Sequence, residues 1–492
     1  MQDKNLSSSP IGPGPGSHRL PTGVSRLDTI LMGGLIASDM YIVYGGPGTG
    51  KSVLCNQICF HQIRTHQAKC LYLTLVSESP ADMVGHLKAF TFFDESLIPE
   101  SLHMTSGYGV IKKGGADSLL HHLKNLMMKQ GTNVLVFEGI EQLFYMLQNP
   151  IEFIDFIKEL GLLARMVNCT VILTSYTSGI QLGFGLADGI IEMTNSLEGM
   201  RQIRELTIHK LRGSDYLGGR HKMEITNQGI VLHPRLESIA PAPGRAATLQ
   251  RQSLRSGNEF LDRTMHGGLL SESSMVILGE LGTGKTTLGL SFLVEGARAG
   301  QQGIYLGFSE PPEQIIRKAE VLEIPLRKSV EDGLIHIMWQ PPTELLLDTL
   351  PEKLMDFLGK KPIAHSRIFL DSLGGLLLTT ANQDRMPLFT SAMLHQLRSE
   401  GATTVISSEL PITAGAGIVG SGSFLDNICE SIVRLRYIRH LERFYRFFNI
   451  VKMRESDYDP VSVPFRIGKG GLVFEELKEE HKMALRSAPV EF

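Results

Sequence analysis

Short apolar runs punctuate this chain, and none of them alternates polar with apolar positions. In the first half they fall at residues 40–43, 70–76, 133–137 and 171–173, and in the second at 275–278, 303–308, 367–370 and 405–406. A strand half exposed to water shows a polar residue at every second position, so runs without one predict strands buried on both faces. The stretches between them are long enough for helices. The pattern therefore predicts an α/β fold, with mostly parallel strands joined by right-handed helical crossovers.

Two of these runs, 40–43 and 275–278, lead into glycine-rich loops. The first is Gly45-Gly46-Pro47-Gly48-Thr49-Gly50-Lys51-Ser52 and the second Gly279-Glu280-Leu281-Gly282-Thr283-Gly284-Lys285-Thr286. Both match G-x-x-x-x-G-K-[ST] between a strand and a helix, which is the context this motif requires. The glycines let backbone N–H groups turn inward around phosphate oxygens, the lysine reaches the β- and γ-phosphates, and the following hydroxyl faces Mg²⁺. The expected cradle for a nucleoside triphosphate is Gly46, Pro47, Gly48, Thr49, Gly50, Lys51, Ser52 and Val53 in the first half. In the second half it is Glu280, Leu281, Gly282, Thr283, Gly284, Lys285, Thr286 and Thr287.

Everything around the loops also comes twice. Residues 23–35 (GVSRLDTILMGGL) match 257–269 (GNEFLDRTMHGGL), and Lys51 and Lys285 keep the same spacing of 234 positions. Ser77-Glu78 matches Ser309-Glu310, Glu138 matches Asp371, and Lys210-Leu211-Arg212 matches Lys452-Met453-Arg454. Self-similarity of this kind means two copies of one domain. We place a flexible tail at 1–17, a first domain at 18–233, a proline-containing linker at 234–252, a second domain at 253–475 and a short tail at 476–492.

Composition changes this picture little. The 492 residues are 42% hydrophobic and 20% charged, an ordinary balance for a globular protein. A formal net charge of −3 gives no electrostatic reason to expect general nucleic-acid binding. No apolar run reaches the length of a membrane span, and the Ser/Pro/Gly-rich start lacks the apolar core of a secretory signal, so a cytoplasmic protein is expected. Five cysteines without a CxxC pair read as buried, reduced thiols.

Phosphoryl transfer needs a cradle, a metal, a group that orients or deprotonates the attacker, and positive charge on the transferred group. Ser52 and Thr286 are the expected direct ligands of Mg²⁺. Glu138 and Asp371, ending their strands, are the carboxylates expected to hold the ion through water. Glu78 and Glu310 end the strands after the first helix, where a carboxylate aligns the attacking water or takes its proton; the alternative is that they cap the next helix. Lys210/Arg212 and Lys452/Arg454 alternate along strands, so the two cations of each pair share a face and suit a phosphate held by a neighbouring subunit. The bland alternative is a solvated strand face. The basic and aromatic stretch 434–448 reads as a twisted hairpin with one apolar face, nucleic-acid binding being the sharper alternative.

With these residues in view, the chain resembles the KaiC family over roughly residues 18–475. These are two-lobed, RecA-like ATPases of the bacterial circadian clock and its wider relatives. The likeness rests on the doubled loops, the G-x-x-x-L-D opening with its Gly-Gly-Leu, and the paired Lys-Leu-Arg-Gly and Lys-Met-Arg segments. It implies two tandem RecA-like P-loop NTPase domains, ATP with Mg²⁺, and a homo-oligomer, a hexameric double ring with nucleotide between neighbours. It further implies that Lys210/Arg212 and Lys452/Arg454 approach the γ-phosphate from the adjacent subunit. Slow ATP hydrolysis in the first lobe, autokinase and autophosphatase chemistry in the second, and protein partners of the Kai or signalling type follow from the same likeness; a RecA-type DNA-dependent ATPase is the remaining alternative. Two departures stand out. The family's two adjacent glutamates are Ser77-Glu78 and Ser309-Glu310 here, and its phosphoacceptor Ser and Thr align with Asp426 and Asn427, leaving Ser421, Ser423 and Ser431 as nearby hydroxyls.

Overall fold

The computed structural model describes residues 18–75, 80–147, 149–176, 185–198, 200–239, 251–341, 347–359, 366–380, 382–409, 424–454 and 456–487. The chain divides into two compact units, Met1–Ile239 and Ala240–Phe492. In the first, nine strands form one sheet: β1 (Met40–Tyr44), β2 (Cys70–Thr74), β3 (Leu102–Ser106), β4 (Val134–Glu138), β5 (Thr170–Ser175), β6 (Gly189–Glu198), β7 (Arg201–Leu211), β8 (Arg220–Thr226) and β9 (Gly229–His233). They lie side by side as β3-β2-β4-β5-β1-β6-β7-β8-β9. Pairings from β3 through β6 are parallel, and those from β6 to β9 are antiparallel.

The second unit repeats this plan with β10 (Ser274–Gly279), β11 (Gly303–Gly307), β12 (Ile335–Trp339), β13 (Arg367–Asp371), β14 (Thr403–Glu409), β15 (Ser431–His440), β16 (Arg443–Met453), β17 (Ser462–Gly468) and β18 (Gly471–Phe474). Its order is β12-β11-β13-β14-β10-β15-β16-β17-β18, so adding nine to each strand number converts one sheet into the other. The duplication read from the sequence is thus a duplication of topology.

The lack of polar alternation has the expected cause. Tyr41 and Val43 of β1 pack with Leu54, Cys55 and Ile58 of the helix Lys51–His66 on one face of the sheet. Met40, Ile42 and Tyr44 pack on the other face, with Leu119 and Leu123 of Tyr108–Gln130 and Phe156 and Leu160 of Pro150–Met166. Successive side chains point to opposite faces, and both faces are covered. All five cysteines are buried and free.

The repeated G-x-x-x-L-D…Gly-Gly-Leu segment serves the fold. It closes a short antiparallel clasp, Arg19–Leu20 against Leu35–Ile36 and Ser253–Leu254 against Leu269–Leu270. The Asp28 carboxylate accepts hydrogen bonds from the Thr22 amide (2.9 Å) and hydroxyl (2.7 Å), and Asp262 accepts one from the Ser256 amide (2.7 Å). Gly268 has φ +110°, and a Cβ there would lie 2.2 Å from the Leu254 carbonyl oxygen.

Two details depart from regularity. The β6–β7 pairing shifts register between Ile190 and Ile191, and the β15–β16 pairing between Ile432 and Val433, leaving His209 and Val451 as extra residues in matching β-bulges. The stretch expected as a tail at 476–492 carries a helix, Glu479–Ser487, that docks on β15. His481, Ala484 and Leu485 fall on one helical face, and Ala484 and Leu485 pack with Ile438, Tyr445 and Phe447. Stretch 434–448 is the expected hairpin.

Gly268→Ala is expected to destabilise the second unit by roughly 2 kcal/mol or more, since it combines a positive φ with a clash against backbone. Calorimetric melting checks this; an unchanged melting temperature would show that the clasp relaxes freely.

Candidate functional site: a phosphate cradle in each lobe

Each loop turns from strand to helix through a glycine in the left-handed conformation. Gly50 (φ 99°) precedes Lys51–His66, and Gly284 (φ 101°) precedes Lys285–Arg298. A side chain is strained in that conformation. The turn leaves the unpaired N–H groups and the positive dipole end of the helix facing the loop. Thr49 and Thr283 brace the turn by donating to the Gly46 carbonyl (2.9 Å) and the Glu280 carbonyl (2.8 Å). Gly46, Pro47, Gly48, Leu281 and Gly282 form the exposed lip, whereas Val53 packs against the core and Thr287 is buried.

The lysines are buried over their own loops. Lys51 Nζ donates to the carbonyls of Gly45 (2.6 Å) and Gly46 (2.9 Å), and Lys285 Nζ to those of Gly279 and Glu280 (both 2.9 Å). Burial lowers both ammonium pKa values below the ordinary lysine value. Carboxylates oppose this, Glu141 and Glu138 in the first lobe, and Glu409, Asp371 and Glu280 in the second.

Beside each lysine a hydroxyl meets the acid at the end of a strand. Ser52 Oγ donates to Glu138 Oε1 at 2.5 Å, and Thr286 Oγ1 donates to Asp371 Oδ2 at 2.8 Å. One hydroxyl and one carboxylate, both hard oxygen donors, fit Mg²⁺, which keeps waters and substrate phosphates for its remaining positions. The residues present therefore suit the ion. Asp371 is further held by Tyr305, whose phenol donates at 2.9 Å, and by the Ser407 hydroxyl at 2.6 Å. Burial pushes the Tyr305 phenol far up, so it stays a donor.

In the second lobe a cavity of about 590 Å³ opens beside the cradle, lined by Lys285, Thr286, Tyr305, Glu310, Asp371 and Glu409 among others. Glu310 thus stands on its wall, with its carboxylate bound to Lys318. Its counterpart Glu78 lies outside the described residues. Stretch 434–448 braces this cradle: the Tyr437 hydroxyl donates to the Gly282 carbonyl at 2.9 Å, and the Arg446 guanidinium lies 5.1 Å from the Tyr437 ring.

The Lys-x-Arg pairs lie elsewhere. Lys210 Nζ donates to the Ala187 carbonyl (2.6 Å) and Lys452 Nζ to the Cys429 carbonyl (2.9 Å). The Arg212 amide bonds to the Asp188 carbonyl, whose own amide bonds to Met40 at the start of β1. The Arg454 amide is tied likewise through Glu430 to Ser274 at the start of β10. The cradles begin at the other ends of these strands, so each pair sits at the end of its sheet opposite its own loop. Of the nearby hydroxyls, Ser431 is the first residue of β15 and buried, and Ser421 and Ser423 lie outside the described residues.

A sequence model of the KaiC ATPase family matches residues 20–237 and again 254–479. The chain belongs to the KaiC family of ATPases. It is 25% identical to the circadian clock oscillator protein KaiC of Picosynechococcus sp., over 98% of this chain and 94% of that protein. It is equally identical to the namesake protein of Rippkaea orientalis, over 96% and 92%, and to KaiC 1 of Synechocystis sp., over 92% and 88%. Among the described residues no helix is long and apolar enough to cross a membrane.

In this KaiC-family chain the sequence reading missed the groups that surround the named ones: Glu141, Tyr176, Tyr305, Ser407, Glu409, Lys318 and the acids behind the arginines. Asp188, 2% exposed, binds Arg165 (2.9 Å) and Arg212 (3.1 Å). Glu430, in the same place in the second lobe, binds Arg398 and accepts from the Ser274 amide (2.8 Å) and hydroxyl (2.6 Å). Beside Asp188, burial and that like charge push the Asp39 carboxyl up to about 6, against the pull of Arg165 and Arg212.

A carboxyl with a raised folded-state pKa binds its proton more tightly when folded, so stability is lost as pH rises from about 4 to about 6. Asp39→Asn is expected to melt above the parent at pH 7 and to match it near pH 4. Calorimetry across that range checks the sign; a variant less stable at pH 7 would reverse it.

Proposed function

We propose that this chain hydrolyses ATP at interfaces between copies of itself, in a cytoplasmic homo-oligomer built as a hexameric double ring, and that protein partners read the nucleotide state of those interfaces. The observation that carries this reading is the separation within each lobe. Met40 and Gly45 are five residues apart along β1, roughly 16 Å at the rise of a strand. Arg212 is anchored at the near end and the cradle lies beyond the far end. A guanidinium fixed there serves a phosphate held by another copy better than one held by its own. Relatives named as circadian clock oscillator proteins support the coarser part of this reading, a clock-type ATP-binding protein.

In this mechanism the backbone N–H groups of 46, 48–53 and 280–287 enclose the phosphates, and Lys51 and Lys285 leave their loop carbonyls to meet β- and γ-oxygens. Mg²⁺, when bound, spreads the developing charge across the β- and γ-phosphates. Ser52 with Glu138, and Thr286 with Asp371, hold its place. Glu78 and Glu310 add acids near the γ-phosphate. Lys210/Arg212 and Lys452/Arg454 of the adjacent copy stabilise the transferred group. Of the hydroxyls near the aligned positions, Ser431 is buried in a strand, and Ser421 and Ser423 lie outside the described residues, so no phosphoacceptor is proposed.

Lys51→Ala/Lys285→Ala and Arg212→Ala/Arg454→Ala proteins are each expected to release phosphate at least about 100-fold more slowly than the parent. Co-assembling the two at equal amounts rebuilds intact interfaces at about one position in four, so about a quarter of the parent rate should return. Native mass measurement with and without ATP reports the assembly. No recovery in mixed particles would mean that the arginines act within their own subunit.

A further inference from the structure

Each lobe lacks the first acid of the glutamate pair that the family resemblance implies, having Ser77 and Ser309 there. Of the second acids, Glu310 is bound by Lys318 through Oε1, and its buried Oε2 has no hydrogen-bond partner. Two other carboxylates favour the charged form of the cradle lysines, and they occupy different positions in the two lobes.

In the first lobe the acid is Glu141, on the helix Ile140–Leu147 that follows β4. It is 4% exposed; its Oε2 accepts the Tyr176 amide at 3.4 Å, and its Oε1 has no hydrogen-bond partner. Lys51 Nζ lies 4.5 Å from the Tyr176 ring, so Glu141, Tyr176 and Lys51 form one cluster behind the loop. In the second lobe the positions of Glu141 and Tyr176 are taken by Gly374 and Glu409, at the 233-residue spacing that also relates Glu138 to Asp371. Register confirms the match: Gly45 bonds to Ser175, just before Tyr176, and Gly279 pairs with Glu409. Glu409 ends β14 and lines the cavity with Lys285, Thr286 and Asp371.

The two lobes have therefore exchanged positions but kept one acid each beside the loop lysine, from a helix in one and a strand end in the other. A buried carboxylate oxygen left without a donor is unfavourable, and Glu141 Oε1 suits a donor that arrives with the substrate. In the second lobe Glu310 Oε2 is left likewise, but Lys318 holds that acid's other oxygen, whereas Glu409 lines the cavity with no ion pair among the described residues. We propose that Glu141 in the first lobe and Glu409 in the second orient the attacking water and accept its proton. The water oxygen bonds to the γ-phosphorus as the bond from that phosphorus to the β,γ-bridging oxygen breaks. ADP leaves with the electron pair, the proton passes to the carboxylate, and the carboxylate later yields it to phosphate or solvent. This assignment rests on the hydrolytic reading above.

The test uses the full-length protein with Glu141→Gln, Glu409→Gln, both together, and Glu78→Gln/Glu310→Gln. Glutamine keeps the shape and cannot take the proton. Each single variant is expected to lose the turnover of its own lobe, and the double variant to release phosphate about 100-fold more slowly or less. Affinity for a fluorescent ATP analogue and the melting temperature should stay close to parent, and the double variant should retain ATP where the parent retains ADP. Turnover within threefold of parent in the double variant, or loss confined to Glu78→Gln/Glu310→Gln, overturns the assignment and leaves hydrolysis standing. A variant that loses ATP affinity in step with turnover assigns the acids to binding instead. A parent that releases no phosphate overturns the hydrolytic reading and this assignment with it.

Discussion

The rest of the site depends on a buried ammonium held at the mouth of a helix. Lys51 and Lys285 each sit over their own loop carbonyls with little access to water, at the point where a left-handed glycine turns strand into helix. Burial alone would push such a group toward losing its proton. Acids around it restore the balance: Glu138 and Glu141 in one lobe, Asp371, Glu409 and Glu280 in the other. Those acids in turn need donors, which come from Ser52, Thr286, Tyr305 and Ser407. The cradle is thus a set of mutually dependent charges, balanced before any ligand enters.

A second constraint acts at the far end of each sheet. The strand ends that carry the arginines after the bulges are joined through Asp188 and Glu430, whose carboxylates also tie down the first residues of the central strands, Met40 and Ser274. The two lobes solve this differently. Asp188 holds both Arg165 and Arg212, while the longer Glu430 reaches Arg398 and the Ser274 hydroxyl and leaves Arg454 exposed. A duplicated domain can keep a common frame while the electrostatics of its two copies diverge.

How much of this was legible in the sequence follows from how local each signal is. The loops, their hydroxyls and the acids at strand ends are read in place, because a short motif between an apolar run and a helix fixes their geometry. Residues 40–43 and 367–370 are strands within one or two positions of the reading for the same reason. Glu141 and Glu409 were not legible. Each belongs to the site only through the register of β5 or β14 against the strand before the loop, and neither repeats in the other lobe, so the internal comparison that exposed Glu78 and Glu310 hid them. The Glu310–Lys318 pair joins a loop to the helix Pro312–Val321, and the docked helix Glu479–Ser487 depends on an apolar patch supplied by the hairpin. Such contacts are made by the fold, and no window of sequence contains them.

The matching bulges at His209 and Val451 carry a consequence for how such a chain can change over time. Side chains on a strand alternate between faces, so the direction in which Lys210/Arg212 and Lys452/Arg454 point is set by the number of residues between the hairpin turn and the motif. Removing the extra residue would turn both cations of a pair through to the reverse side without altering either of them. The acids differ between the lobes, glutamate for aspartate at one place and tyrosine for glutamate at another. Chain length in these two ribbons is a separate constraint, since an insertion or deletion there would redirect both cations while every named residue was still in place.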